Sequence, residues 1–300
     1  MSVSVESGGT RRSMRPSRLR AGTVAEAPEA SALVSRTVLD RDGVTLADVA
    51  CRHRAGCGQT SEHAIGHMLV LVRRGCFVRR VDGVETLLDP TLAYCMQPGQ
   101  EQRYDHPHDD GDDCTSLVLE PRLLASLWGG DPRLPSGPLS ISPRVDLQHR
   151  LLLAAARRGD DPHELVERAI ELAACTLEHV DARRVASGRP ATARTRRALV
   201  DGAREALIVD PSRSLPELAA ALGASPHHLS RVFRAATGAT VARHRMRLRA
   251  RSALERLAGG EADLARLAAE LGFADQSHLC RVMRSETGQT PLSLRRLLVS

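Results

Sequence analysis

The sequence has no lysine, and all 42 of its basic residues are arginine. Arginine makes the forked, bidentate contact to guanine or phosphate that lysine cannot, although such uniformity also fits a GC-rich genome. Aromatics are nearly as scarce. Three Phe, two Tyr and one Trp in 300 residues are too few to build the stacking platforms that bind RNA or single-stranded DNA. No apolar run approaches the roughly 18 residues of a membrane-spanning helix, so no membrane partner is expected and the location expected is cytoplasmic. The first 30 residues lack the apolar h-region of a secretion signal. With Arg11, Arg12, Arg15, Arg18 and Arg20 set among Ser, Gly and Ala, they read as a disordered arginine-rich tail. The seven cysteines are then expected to be reduced thiols.

The chain is 42% apolar, enough for real cores, and its length suits two domains with connectors. Its C-terminal part writes one passage twice. Leu218–Gly223 (LAAALG) returns as Leu267–Gly272 (LAAELG), Leu229–Arg234 (LSRVFR) as Leu279–Arg284 (LCRVMR), and Thr237-Gly238 as Thr287-Gly288. In the first copy Ser214 and Glu217 have capping-box spacing, Gly223 is a helix stop, and Ser225-Pro226 supplies a second N-cap followed by Pro at N1. Leu229, Val232, Phe233 and Ala236 recur at i, i+3, i+4, i+7, which predicts one buried face. The other face carries His227, Ser230, Arg231 and Arg234, side chains able to reach base edges or phosphates from a major groove. The second copy has caps at Asp263 and Asp275, a break at Gly272 and Leu279, Val282 and Met283 facing inward. Its outward set is Gln276, Ser277, Cys280, Arg281 and Arg284. Two helix-turn-helix units about 50 residues apart on one chain can span two DNA turns without a dimer.

These residues give residues 191–300 the look of the C-terminal domain of AraC/XylS transcription regulators. The closing signature G-F-x-x-x-S-H-x-x-R, leading into T-G-x-T-P, stands here at Gly272-Phe273, Ser277-His278, Arg281, Thr287-Gly288 and Thr290-Pro291. The resemblance implies a long joining helix, here Val241–Leu257 with Arg243, Arg245, Arg247, Arg249, Arg251 and Arg256, and entry of each second helix into the major groove. Leu279 and Met283 stand where that family usually has aromatics. Charge follows the same division. Residues 191–300 carry 18 Arg against 10 acids, net +8, and residues 1–190 carry 24 Arg against 26 acids, net −2. The basic excess thus lies where phosphate would be met.

Residues 31–120 have the texture of short strands with turn signals. His67–Val72, Cys76–Val81, Val84–Leu88, Leu92–Met96 and Cys114–Leu119 are the clearest, and Asp82-Gly83 is a hairpin turn. A small β-sandwich or barrel follows, resembling the cupin-like sensor that AraC relatives place before their DNA-binding domain. Residues 121–190 read as connector and helical linker or dimerisation segment, with helices near Leu123–Trp128, Val145–Arg157 and Pro162–Ala186. Apolar positions such as Leu152, Leu165 and Leu172 there suit either packing on the barrel or a dimer surface, and Ser187-Gly188-Arg189-Pro190 suits a hinge. The fold class expected is α+β, with an all-α C-terminal domain expected to fold alone.

Cys51, His53, Cys57, His63 and His67 crowd into 17 residues, and His106, His108 and Cys114 follow among acids. The subset Cys51, Cys57, His106 and Cys114 has the donor types of a zinc, iron or copper site, or of reactive thiols. Cysteine is equally a small core residue, and the spacing is not that of a zinc finger or ribbon. No cofactor is therefore assigned, and metal in the sensor stays open. Two enzymatic alternatives fit less well: a cupin metalloenzyme lacks its closely spaced two-His-and-Glu strand signature, and a DNA-repair methyl acceptor lacks a Pro-Cys-His-Arg-type sequence. The expectation is a non-enzymatic, sequence-specific transcription regulator, an activator in mode. Its partners would be double-stranded promoter DNA, a small-molecule effector and RNA polymerase, with a homodimer as an open option.

Overall fold

The computed structural model describes residues 33–52, 60–64, 66–128, 134–178 and 190–299. The arginine-rich tail, the hinge residues Ser187–Arg189, His53 and Cys57 lie outside them. The N-terminal half is a two-sheet sandwich. Strands β1 (Leu33–Arg41), β2 (Val44–Cys51), β3 (Thr60–His63), β4 (His67–Arg74), β5 (Phe77–Val81), β6 (Val84–Leu88), β7 (Leu92–Met96), β8 (Glu101–Asp105), β9 (Asp112–Leu119) and β10 (Leu139–Ser140) all take part. One sheet has the order β1-β2-β9-β4-β7-β10 and the other β3-β8-β5-β6.

Two hairpins are set by the same dipeptide. Asp82-Gly83 joins β5 to β6 and Asp42-Gly43 joins β1 to β2, each with both residues at positive φ, 48° and 73° in the first and 50° and 77° in the second. That is the turn geometry whose twist matches the flanking strands. The six-stranded sheet is covered on both faces, so β4, β7 and β9 are buried along nearly their whole length and do not alternate. Its inner face meets the second sheet around Val70, Val72, Phe77, Leu88, Tyr94 and Tyr104. Its outer face is roofed by α2 (Pro143–Arg158) and α3 (Pro162–Glu178), whose Leu152, Ala155, Leu165 and Leu172 pack on Leu46, Leu71 and Leu117. The helix α1 (Pro121–Trp128) adds Leu124 to that core. The apolar linker positions are thus consumed inside the chain, and the sensor sheet runs past residue 120, because β10 pairs with β7.

The C-terminal half is helical: α4 (Pro190–Val209), α5 (Leu215–Ala221), α6 (Pro226–Thr237), α7 (Val241–Ala258), α8 (Leu264–Glu270), α9 (Gln276–Thr287) and α10 (Pro291–Val299). Its first unit closes a core of Ala203, Leu207, Leu218, Leu229, Phe233 and Leu248 from its own helices. The second unit does not close alone. Leu254, Leu257, Leu267, Leu279, Met283 and Leu294 share their core with Leu147 and Ala154 of α2, and Leu151 packs beside them. One stripe of α2 faces the sheet and another faces the second unit, so residues 191–300 are less self-sufficient than their sequence suggests. The physical reason is non-local: periodicity shows that a face is apolar but not which element covers it.

Candidate DNA interface and sensor cavity

Each second helix is started by a side chain that satisfies an orphan amide. Ser225 accepts from the His228 amide at 3.2 Å, with Pro226 at the first turn, and Asp275 accepts from the His278 amide at 2.6 Å. The helices before them start likewise, α5 with the full Ser214–Glu217 capping box and α8 with Asp263 accepting from Ala265 and Arg266. The turns differ by one residue, Ala274, since the amides of Ala224 and Phe273 donate to the equivalent carbonyls of Ala219 and Ala268. Phe273 is buried and meets His278 edge-on at 5.5 Å, while the Ala274 amide donates to His278 Nδ1 at 3.2 Å. His278 therefore fastens the turn.

The residues expected to face DNA lie mostly in solvent. His227, Arg231 and Arg234 on α6 are exposed, as are Gln276, Ser277, Arg281 and Arg284 on α9, while Ser230 and Cys280 are half-buried. Ala236, expected to be buried, is exposed, because the inward stripe of α6 ends at Phe233. Arg231 lies 3.5 Å from His228 Nδ1. Among the described residues no carboxylate lies within ion-pair distance of Arg231, Arg234, Arg281 or Arg284.

The arginines of the joining helix behave otherwise. Arg243 pairs with Glu286 at 3.1 Å and Arg256 with Glu261 and Glu270, both at 2.8 Å. Arg249 donates to the carbonyls of Gly272 and Pro211, which fastens the second unit's turn to the first unit. Arg251 is buried and donates to the Ile141 carbonyl at 3.0 Å, with Asp146 at 3.7 Å. A run of arginine looks alike in sequence whether it meets phosphate or its own protein. With Arg247 also 3.9 Å from Glu286, α7 spends five of its charges internally.

Charge also fixes the sensor to the helical half. Asp89, fully buried between β6 and β7, pairs with Arg204 of α4 at 2.5 Å, and Arg204 donates to the Leu87 carbonyl at 3.3 Å. Burial would raise the Asp89 pKa, but the charge of Arg204 holds it below the usual carboxylate value. His244 of α7, packed edge-on against Phe233 at 5.3 Å, is pushed by burial down to about 4. Arg150 of α2 pairs with Glu255 of α7 and donates to the Arg73 carbonyl of β4. His108 Nε2 lies 3.2 Å from Glu205 Oε1 on α4.

Between the sheets lies a cavity of about 190 Å³. Phe77, Tyr94 and Tyr104 line it, so three of the chain's six aromatics meet in this one place. The rings of Tyr94 and Tyr104 stand 6.1 and 5.7 Å from that of Phe77. Arg79 sits over Tyr94 at 4.8 Å and donates to Gln102 at 2.6 Å. At one wall the structure brings together Cys51, His106 and Cys114, three of the four donors singled out in the sequence, and adds Asp112. His106 Nε2 and Asp112 Oδ2 are 3.0 Å apart, and Cys114 donates to Asp112 Oδ1 at 3.2 Å. The hydrogen bond to Asp112, with a second to Cys51, raises the His106 pKa to about 10, and burial pushes the Cys114 thiol well up. His63 is exposed on β3 and His67 half-buried on β4. Asp112 was hidden in the sequence by the run of acids around it. No described helix is long and apolar enough to cross a membrane.

Residues 218–297 match a helix-turn-helix domain family. Among solved structures, ToxT from Vibrio cholerae O395 is similar at 10% identity, covering 90% of this chain and all of that one, with a TM-score of 0.35. Wild-type ToxT of strain SCE256 bound to an unsaturated fatty acid matches at 11% identity, covering 85% of this chain and 95% of that one, with a TM-score of 0.33. The cupin domain of an XRE family transcriptional regulator from Enterobacter cloacae matches at 18% identity, covering 30% and 99%, with a TM-score of 0.26. No curated protein sequence matches the chain.

Proposed function

We propose, from the premise that residues 218–297 are a helix-turn-helix domain of the AraC/XylS type, that the chain is a sequence-specific transcription regulator whose β-sandwich senses an effector. The observation that carries this reading is the pair of exposed arginines repeated on both second helices, Arg231 with Arg234 and Arg281 with Arg284. In a chain that pairs its arginines so widely, these four have no carboxylate within ion-pair distance among the described residues. An uncompensated guanidinium on a capped, exposed helix is what a major groove would meet. The joining helix α7, with 18 residues and so about 27 Å long, holds the units apart on the scale of one DNA turn, about 34 Å. His227, Ser230, Gln276, Ser277 and Cys280 complete the proposed base-facing set.

The cavity suits a small effector. Bound there, it would shift the balance between arrangements in which the sandwich grips α4 and α7 and arrangements in which it does not, as differential affinity requires. Activation through RNA polymerase is the mode proposed, in the cytoplasm, with dimerisation through a surface other than the buried faces of α2 and α3. No catalytic residue is assigned. The test is to sequence genomic fragments bound by the purified protein, with and without cell extract. A recurring site supports the reading. Indifference to DNA at low salt, or turnover with dioxygen or alkylated DNA, would overturn it.

A further inference from the structure

One wall of the sandwich cavity is chemically unlike its aromatic and thioether lining. Cys51 and Asp112 are directly opposed in the β2–β9 register, and Cys114, two residues further along β9, takes the same face. The facing sheet supplies His106, the residue that follows β8. The Cys51 sulfur, a His106 ring nitrogen and an Asp112 carboxylate oxygen all lie within 4.8 Å of one another. The three residues are only 6%, 7% and 5% exposed.

The cluster is held from behind. Arg52 donates to the carbonyls of Cys51 and Asp112 at 2.9 and 3.0 Å. Gly111, at φ 62°, passes so near that a Cβ on it would stand 2.2 Å from the Cys51 carbonyl oxygen. Only glycine permits that approach. A thiol, an imidazole and a carboxylate converging in an enclosed place are the donor set of zinc and its borderline neighbours. Calcium and magnesium, which take oxygen donors, do not fit it.

We propose that Cys51, His106 and Asp112 bind a transition-metal ion of the zinc class, with solvent completing its coordination, and that loading of this site is the signal passed to the helical half. The signalling half rests on the regulatory function proposed above. Loading takes His106 and Asp112 out of their mutual hydrogen bond and releases to solvent both the Cys51 thiol proton and the proton that His106 holds against Asp112. The route to the DNA-binding region is short. The β8–β9 connection carries both His106 and His108, and His108 meets Glu205 of α4, the neighbour of the Arg204 that pairs with Asp89.

The experiment strips full-length protein with chelator and titrates it with cobalt(II), which reports thiolate ligation through a near-ultraviolet charge-transfer band, with zinc as competitor. One cobalt per chain with that band is expected. Cys51→Ser should abolish the band, and Asp112→Asn should weaken binding by more than about tenfold, each with an unchanged far-ultraviolet dichroism spectrum. Cys175→Ser, remote from the cavity, should retain both readouts. Substoichiometric uptake, or a band that survives Cys51→Ser, would overturn the site. Loaded and stripped protein should then differ in affinity for a selected DNA site by at least about fivefold, and the difference should vanish in Cys51→Ser. Equal affinities would make the ion a fastener of the two sheets and overturn its role as signal. Because uptake is read without DNA, absence of any selected site would count against the regulatory function alone.

Discussion

Helix α6 closes its core against α4, α5 and α7, all within the C-terminal half, whereas α9 closes against α7, α8, α10 and, from outside that half, α2. The two units share caps, turn glycines and an inward stripe because those features are local, set by residues no more than four apart. Their surroundings differ because a third face is covered by whatever the chain brings to it. At equivalent places Phe233 faces His244, and Met283 has Leu294 in its core. The first unit is thus tied to the sensor by charge, through Asp89 and Arg204, and the second by apolar contact with α2, reinforced by the Arg150–Glu255 and Arg251–Asp146 pairs.

The largest expected difference follows from the cores. Phe233 and Met283 are both fully buried, and Phe233→Ala should lower global stability by about 3–5 kcal/mol against about 2–5 for Met283→Ala. Urea unfolding of both variants checks the order. A larger loss at Met283 would mean that the second unit carries the fold.

Acid separates the units next. His244 is held neutral with its pKa near 4, first by burial and then by Arg204, Arg251 and Arg247, against an opposing Asp89. The unfolded chain takes up that proton below about pH 6.5, so the contribution is complete above that pH and is lost as pH falls towards 4, by up to about 3 kcal/mol. Asp89, held low by Arg204, adds a loss in the same direction at still lower pH. Hydrogen exchange at pH 5 against pH 7 should show α5 and α6 opening before α8 and α9, and His244→Gln should flatten the difference. The sensor wall has the opposite sign. His106, raised to about 10, stabilises below its unfolded value and loses that contribution as pH climbs from about 6.5 to 10.

A smaller effect isolates the borrowed helix. Leu147→Ala should cost about 2 kcal/mol, read as lost exchange protection in α8 and α9 with α5 and α6 unchanged. Equal loss in both units would dissolve the distinction between them.

The C-terminal helices were legible because capping and apolar periodicity are written within single turns, and the repeat wrote them twice. The sandwich was legible in part. The Asp82-Gly83 hairpin announced itself between apolar runs, yet the same dipeptide at Asp42-Gly43 did not, because β1 is an edge strand exposed over most of its length. Strand β8 was hidden because one of its inward residues is Gln102, fully buried only because Arg79 and Tyr104 donate to its side-chain oxygen. The arginines of α7 resembled a phosphate-binding row until their acceptors, carbonyls and carboxylates far away in sequence, were in place. In the sensor, cysteine and histidine were visible as types, and their meeting needed the β2–β9 register and the facing sheet.

The most direct test of two reading heads on one chain is selection from random duplex DNA with full-length protein, repeated with Arg231→Ala and Arg281→Ala. The account predicts a selected site with two conserved segments about one helical turn apart. Each substitution should relax one segment and leave the other, at a cost of about 1–3 kcal/mol in affinity. A single conserved segment, or equal weakening on selected and random DNA by both variants, would contradict it.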